Sequence, residues 1–434
     1  TALLNAVKNA KKLNPRSPAK TVSLRINGSL DVITSDTDAR FSQSVDYVSK
    51  SGDLRLTFPD QRLQAIASKL KADTLDLELS SLPVFDEYIL TVKSDSATFT
   101  IPVEIPDDSE RFISEFPASF AHNVTAGELL RAFRMTEFSV CTESTRYALS
   151  GLFIVPGESS LDIAATDSRR LSVETIPADV LGTMPEIERG ETRHGAGVVI
   201  PIGIVNLLQD ELKRHHAGDV VSFATADVII RRKELTPPDN LTKKQRENWE
   251  PSTVGFVCLS DGVTTTNVFD GTTYWQQDTR IEFVFEMPGA FSIRGIPVQG
   301  RFPRYLDVIP SSFESKYEIQ RTAILEQCET ILLSTDEESR GVEFVFPVSE
   351  SDRNVRLAAK SATLGTASAI FHCESVDSTE RRTIPLDPKY VIDYLKRSQA
   401  GFITIQIQDS ETAILITADD SDGRYVQMPL SQDR

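Results

Sequence analysis

One pattern occurs three times in this chain and constrains its fold more than any other feature. An apolar strand end meets a proline, a helix follows that finishes in basic residues, and an alternating strand comes next. The copies are LTFPDQRLQAIASKLKADTLDLEL, VVIPIGIVNLLQDELKRHHAGDVVSFA and RTIPLDPKYVIDYLKRSQAGFITIQIQ. Repetition on this scale means that one supersecondary unit is used again, since each copy has the same kind of apolar face to bury. Pro59, Pro201 and Pro385 are expected in the first helical turn, where a missing N–H leaves no bond unmade. Lys69 and Lys71, Lys213 and Arg214, and Lys396 and Arg397 close the helices, where a cation suits the helix dipole. The strands beyond them alternate with period two, as in Leu75, Leu77, Leu79 and in Ile403, Ile405, Ile407, the mark of a sheet with one face on a core.

A second repeat supports the first. SLDVITSD at 29–36 returns as SLDIAATD at 160–167, each with an amphipathic helix upstream, at 2–13 and 125–135, and the third counterpart is expected at 312–327. This is the pattern of an α+β chain of three similar domains, each with two helices packed on antiparallel sheet. The boundaries are placed at 1–116, 117–305 and 306–434 of the 434 residues. Spacing is uneven, however: 142 positions separate Pro59 from Pro201, and 184 separate Pro201 from Pro385. The excess points to an insertion at about 233–289, whose Pro, Asn and charged residues lead into strand-like VGFVCLS and IEFVFEM, giving an appended hairpin or small subdomain.

The chain has no apolar run long enough to span a bilayer and opens on no leader-like segment, so the cytoplasm is the default location. Cys141, Cys258, Cys328 and Cys373 lie far apart without metal-ligand spacing and read as reduced structural thiols. A formal charge of −17 excludes a protein coated with cations on every face. The six helical segments expected at 2–13, 59–71, 125–135, 203–216, 312–327 and 388–399 nonetheless carry 15 Lys and Arg against 8 Asp and Glu, a net +7 that leaves −24 for everything else. Basic residues at helix ends serve the dipole and solubility in any one helix. Six helices leaning the same way can instead form a basic wall that runs along phosphates without reading bases, while an acidic exterior repels DNA.

RYALSGLFIV at 146–155, AATDSRRLSV at 164–173, GRFPRYLDVIP at 300–310 and YVQMPL at 425–430 stand in an order and spacing that, together with the triple repeat, resemble the bacterial β sliding clamp family, the β subunit of DNA polymerase III. The resemblance covers nearly the whole chain and is looser in the first domain, which opens directly in ALLNAVKNAKKL where the family begins with a short strand. It implies a head-to-tail homodimer, a ring of six domains with helices lining the hole and antiparallel sheet outside. The ring encircles duplex DNA and tethers the replicative polymerase, the clamp loader and repair proteins through short peptides. It also implies a cytoplasmic, nucleoid-associated protein that needs no cofactor or metal.

The family's partner-peptide pocket falls on Leu149, Thr166, Ser168, Arg169, Arg170, Leu171, Pro303, Val308, Val426, Met428, Pro429 and Leu430, bordered by Arg146 and Tyr390. An apolar cleft with a flexible methionine suits Leu or Phe anchors from unrelated peptides. Ser168 and Arg169 stand where the family usually has glycine and histidine, and the tail runs on as Ser431 to Arg434. The ring seam is expected at Phe99 and Ile101 in the first domain against Ile324 and Leu325 in the third, with core packing as the competing explanation for each. The cations expected to face DNA are Lys11, Lys12, Arg16, Lys71, Arg131, Arg134, Lys213, Arg214, Lys396 and Arg397.

No phosphate loop, dinucleotide glycine fingerprint, HExxH or GxSxG is present, and the five histidines are scattered apart from His215 and His216 at a basic helix end. The run Asp419, Asp420, Asp422, Gly423 lacks the glutamate that closes a calcium loop and reads as a turn. The expectation is therefore a non-catalytic protein. The alternative is a β-rich extracellular binding or carbohydrate-active protein, which would share the acidic charge and short strands but has no reason to repeat basic helices.

Overall fold

In the computed structural model, the described residues are 21–27, 29–35, 38–45, 54–59, 66, 69, 75–82, 87–104, 116, 120–143, 145–182, 197–237, 256–258, 263–269, 274–335, 341–349, 351–361 and 364–430. They fall into two compact units, one drawn from Thr1–Gly127, Asp179–Pro185 and Gly203–Gln299, the other from Glu128–Ala178, Glu186–Ile202 and Gly300–Arg434. Four helices are described along their length: α1 (Ala126–Thr136), α2 (Ile202–Leu212), α3 (Arg321–Leu332) and α4 (Pro388–Arg397).

The first unit holds an 11-stranded sheet whose main path runs Asp179–Gly182, Phe120–Thr125, Val220–Leu235, Tyr274–Met287, Phe291–Gly295, Ala39–Val45, Ser29–Ser35, Thr21–Asn27 and Leu54–Pro59. Its pairings are antiparallel throughout. A separate sheet of Asp76–Leu82, Glu87–Lys93 and Thr98–Val103 contributes Leu90, Val92, Ile101 and Val103 to a core shared with Leu24, Val32 and Leu56. The described part of the expected insertion continues the large sheet: Val220–Leu235 and Tyr274–Met287 run on as one ladder, irregular only between Ile229 and Arg231, and Val263–Phe269 and Phe256–Cys258 add to its far side. Within the ladder lies a buried ionic trio. Glu282 accepts from Arg280 Nε and Nη2 at 2.8 and 2.6 Å and from Arg294 Nε at 2.6 Å, and the Arg294 guanidinium lies 5.1 Å from the centre of the Phe116 ring.

The second unit holds a 12-stranded sheet in the order Val198–Pro201, Gly151–Pro156, Ser160–Thr166, Arg170–Pro177, Arg424–Gln427, Ile414–Ala418, Phe402–Ile407, Ser315–Gln320, Gly365–Ser378, Asn354–Ser361, Val342–Phe346 and Arg382–Leu386. Asn354–Ser361 alternates strictly, Val355, Leu357 and Ala359 pointing into a core with Phe344, Phe371 and Ile384. Helix α4 follows local rules. Asp387 caps it by accepting the Lys389 N–H at 2.9 Å, Pro388 occupies the first turn, and Val391, Ile392 and Leu395 form the buried stripe. Arg321, the first residue of α3, finishes α4 from outside, donating to the carbonyls of Leu395 (3.1 Å) and Ala400 (2.8 Å).

Two expectations are corrected. Pro201 and Pro59 are the last residues of their strands, and Pro385 sits inside Arg382–Leu386, the end strand of its sheet, so none of the three opens a helix. A sheet tolerates proline at such places because no ladder donor is lost there. The segment 312–327 is not one helix: Ser315, Tyr317 and Ile319 are buried in alternation with exposed Lys316, Glu318 and Gln320, and this strand fits between Phe402–Ile407 and Gly365–Ser378. Helical spacing begins only after it, with Ile324, Cys328 and Ile331 on the buried side of α3.

Candidate functional site

The pocket positions named from the sequence all lie in the second unit, on five segments that its contacts tie together. The centre is the turn between Ser160–Thr166 and Arg170–Pro177. Asp167 Oδ1 accepts the N–H groups of Arg169 (2.9 Å) and Arg170 (3.0 Å), while Thr166 Oγ1 donates to the Arg170 carbonyl at 2.7 Å and accepts from Ser168 N at 3.1 Å. This geometry forces Ser168 to φ +76°, the one left-handed non-glycine residue among those described. A glycine adopts that backbone freely and a serine with some strain, which gives the unusual residue at this place a physical meaning. Ser168→Val is expected to lower stability by about 1–2 kcal/mol, measured as a shift in urea midpoint, because a β-branched residue fits this region worst.

Arg170 is the hub of the turn. Its Nε donates to Asp167 Oδ2 (2.9 Å), Nη1 to Asp393 Oδ2 on α4 (2.8 Å) and Nη2 to the Phe138 carbonyl (2.6 Å). Its guanidinium also lies 4.4 Å from the Tyr390 ring centre and 5.4 Å from that of Phe138. The side chain is nearly covered, so Arg170 builds the site and presents little of itself to a ligand.

The closing strand, Arg424–Gln427, pairs with Arg170–Val173 on one side and Ile414–Ile416 on the other. Beyond it the Met428 N–H donates to the Arg169 carbonyl (2.9 Å) and the Leu430 N–H to the Pro385 carbonyl (2.8 Å), so the tail crosses from one strand end to another. Tyr425 stacks on Tyr394 at 4.7 Å and donates its hydroxyl to the Tyr390 carbonyl at 2.9 Å, fixing α4 against the same strand. Burial pushes the Tyr390 phenol above its ordinary value.

The loop at 300–308 is anchored by its aromatics: Phe302 stacks on Phe153 at 4.5 Å, and Tyr305 donates to Asp162 at 3.1 Å. Gly300, at φ +120°, brings the loop against Ala148 and Tyr147, where a Cβ would come within 2.9 Å of Ala148. Arg146, two residues away, donates to Ser168 Oγ at 2.8 Å and so links this loop to the central turn. Buried Leu149, Thr166, Leu171 and Val426 form the floor of these segments, and Pro303, Val308 (52 % exposed) and Met428 (45 %) are open, with Pro429 and Leu430 half-buried. Tyr147 and Leu306, 61 and 54 % exposed, extend the apolar surface beyond the positions that the sequence singled out. Phe138, Asp167, Asp393 and Tyr425 were also missed. Only their place beside the quoted motifs could have marked Asp167 and Tyr425, and nothing local marks Phe138 or Asp393.

Of the six described cations expected to face DNA, four are engaged by carboxylates. Arg131 is held by buried Glu174 at 2.6 Å, Lys396 by Glu329 at 2.6 Å, Lys213 by Asp210 at 3.5 Å and Arg214 by Glu211, while Arg397 lies 5.6 Å from the centre of the Phe138 ring and Arg134 is half-buried. Burial holds the Glu174 carboxyl above the usual range despite Arg131. Lys11, Lys12, Arg16 and Lys71 lie outside the described residues. At the expected seam, Ile101 and Ile324 are buried in the cores of their own units, leaving half-buried Phe99 and Leu325 as the accessible pair.

No protein-family model matches the chain. Among curated proteins it is similar to the β sliding clamps of Synechocystis (22 % identical over 377 residues, 85 % of this chain and 80 % of that protein) and Rickettsia bellii (23 % over 418 residues, 93 % and 89 %). The β sliding clamp of Caulobacter vibrioides is 33 % identical over 128 residues, 29 % of this chain and 33 % of that one. Among solved structures it matches the DNA polymerase III β subunit of Pseudomonas aeruginosa with a TM-score of 0.73 and 17 % identity, covering 99 % of this chain and 98 % of that one. The β subunit from Thermotoga maritima gives a TM-score of 0.69 at 18 % identity, covering 99 % and 97 %. The chain has the fold of the bacterial β sliding clamps, and its sequence is similar to theirs at 22–23 % identity over most of its length.

Proposed function

We propose that this protein is a DNA sliding clamp: a non-catalytic ring that encircles duplex DNA and tethers the replicative polymerase and other DNA-processing proteins through peptides docked in the cleft around Arg170. The observation that carries this reading is the end-to-end correspondence of fold with a polymerase β subunit, which accounts for nearly all of the chain at once. The hold on DNA is then topological. Residence depends on how rarely the ring opens, and phosphate contacts, weakened where carboxylates already hold Arg131 and Lys396, allow sliding.

Ring closure needs two chains, and two strand edges support it. Among the described residues, Thr98–Val103 pairs only with Glu87–Lys93, and the first part of Gly365–Ser378 pairs only with Asn354–Ser361. Antiparallel joining of such edges across two subunits, with Phe99 and Leu325 covered at the seam, satisfies the open backbone groups. The expected solution mass is about twice the 48.1 kDa of one chain. Rings loaded on nicked circular DNA are expected to survive high salt and to be lost when the circle is cut. A monomeric mass, or equal loss from circular and linear DNA, overturns the reading. The alternative, a β-rich extracellular binding or carbohydrate-active protein, predicts sugar binding instead and has no support among the relatives.

A further inference from the structure

The rim of the cleft has a charge that sets it apart in an acidic chain. Arg169, Arg301 and Arg304 are exposed and pair with no carboxylate among the described residues, whereas Arg131 and Lys396 each hold one and Arg170 and Arg382 two. The three belong to one neighbourhood: Arg301 follows Gly300, which packs on Ala148, and Arg146 from the same short segment donates to Ser168 Oγ beside Arg169. The acidic groups nearby do not cancel them. Asp167 is consumed by Arg170 and two backbone N–H groups, and Glu143 sits 3.5 Å from Arg146, leaving exposed Asp307. The Arg169 backbone is fixed at both ends, its N–H by Asp167 and its carbonyl by Met428, so the side chain leaves from a rigid point beside the open apolar residues.

We propose that Arg169, with Arg301, is a specificity determinant that makes this cleft prefer peptides carrying carboxylates next to their apolar anchors. The inference rests on the docking reading of the cleft. Apolar floor residues supply affinity without choosing among partners, while a rigidly based guanidinium rewards a carboxylate and penalises a cation.

The test uses the full chain and three labelled peptides that share Leu and Phe anchors and differ only in two flanking residues, Asp, Asn or Lys, with Kd read by fluorescence anisotropy. At low salt the Asp peptide is expected to bind about tenfold more tightly than the Asn peptide and the Lys peptide more weakly still, the spread collapsing at high salt. Arg169→Glu combined with Arg301→Glu, both at exposed positions, is expected to reverse the order. Equal binding of the Asp and Asn peptides, with both bound, overturns the inference and leaves the docking reading intact. Failure of all three to bind a chain of dimeric mass overturns both.

Discussion

Glu282→Ala is expected to destabilise the first unit by about 3–5 kcal/mol, the range for removing one side of a buried ion pair. The carboxylate is fully buried and takes three charge-assisted hydrogen bonds from Arg280 and Arg294, themselves almost entirely covered. Deleting it leaves two guanidinium groups in a space that hydrates them poorly. Glu282→Gln keeps the shape but loses the charge, and is expected to cost nearly as much. Replacing all three residues by apolar ones of similar volume is expected to recover most of the loss, since a filled apolar core needs no compensation. Urea unfolding followed by tryptophan fluorescence checks the series. A Glu282→Ala protein within 1 kcal/mol of the parent would sink the account of the trio.

Arg170→Ala is expected to cost a similar amount, about 3–5 kcal/mol, and to abolish peptide docking as well. It removes donors to Asp167, Asp393 and the Phe138 carbonyl and the cation that lies over Tyr390. With them goes the link between the turn, α4 and the closing strand. Arg170→Lys is not a rescue, because one ammonium cannot span three acceptors in the planar arrangement of a guanidinium. Hydrogen exchange supplies the decisive measurement: amides of 168–171 and 424–430 should lose protection in Arg170→Ala while those of Asn354–Ser361 keep it. Uniform loss across the unit would show that Arg170 stabilises the fold generally and has no particular hold on the cleft.

Much of this was legible along the chain, but only where the physics is local. The helices expected at 125–135, 203–216 and 388–399 appear as Ala126–Thr136, Ile202–Leu212 and Pro388–Arg397, because their apolar spacing and end residues lie within a few turns. The segment 312–327 went astray because a period of two ending at Gln320 passes directly into a period of 3.6, and only the neighbouring strands decide where one stops. The motif TDSRRL falls on the turn at the centre of the proposed site, and its arginines differ in use: Arg170 is spent inside the structure and Arg169 is exposed. That division depends on Asp393 and Phe138, brought in by distant parts of the chain. The summed helix charge could not show which cations are already engaged, for Glu174, which holds Arg131, lies on a strand that the count assigned to the acidic remainder.

Strand order has a consequence for how this protein is made. Arg170–Pro177 waits for Arg424–Gln427, and Ala39–Val45 for Phe291–Gly295, so neither sheet can be finished while its early strands are leaving the ribosome. The nascent chain therefore carries ready-formed but unclosed edges through most of its synthesis, a state prone to sticking to its own kind. Yield in a cell should depend on chaperone supply and translation speed more steeply than the stability of the finished protein would suggest.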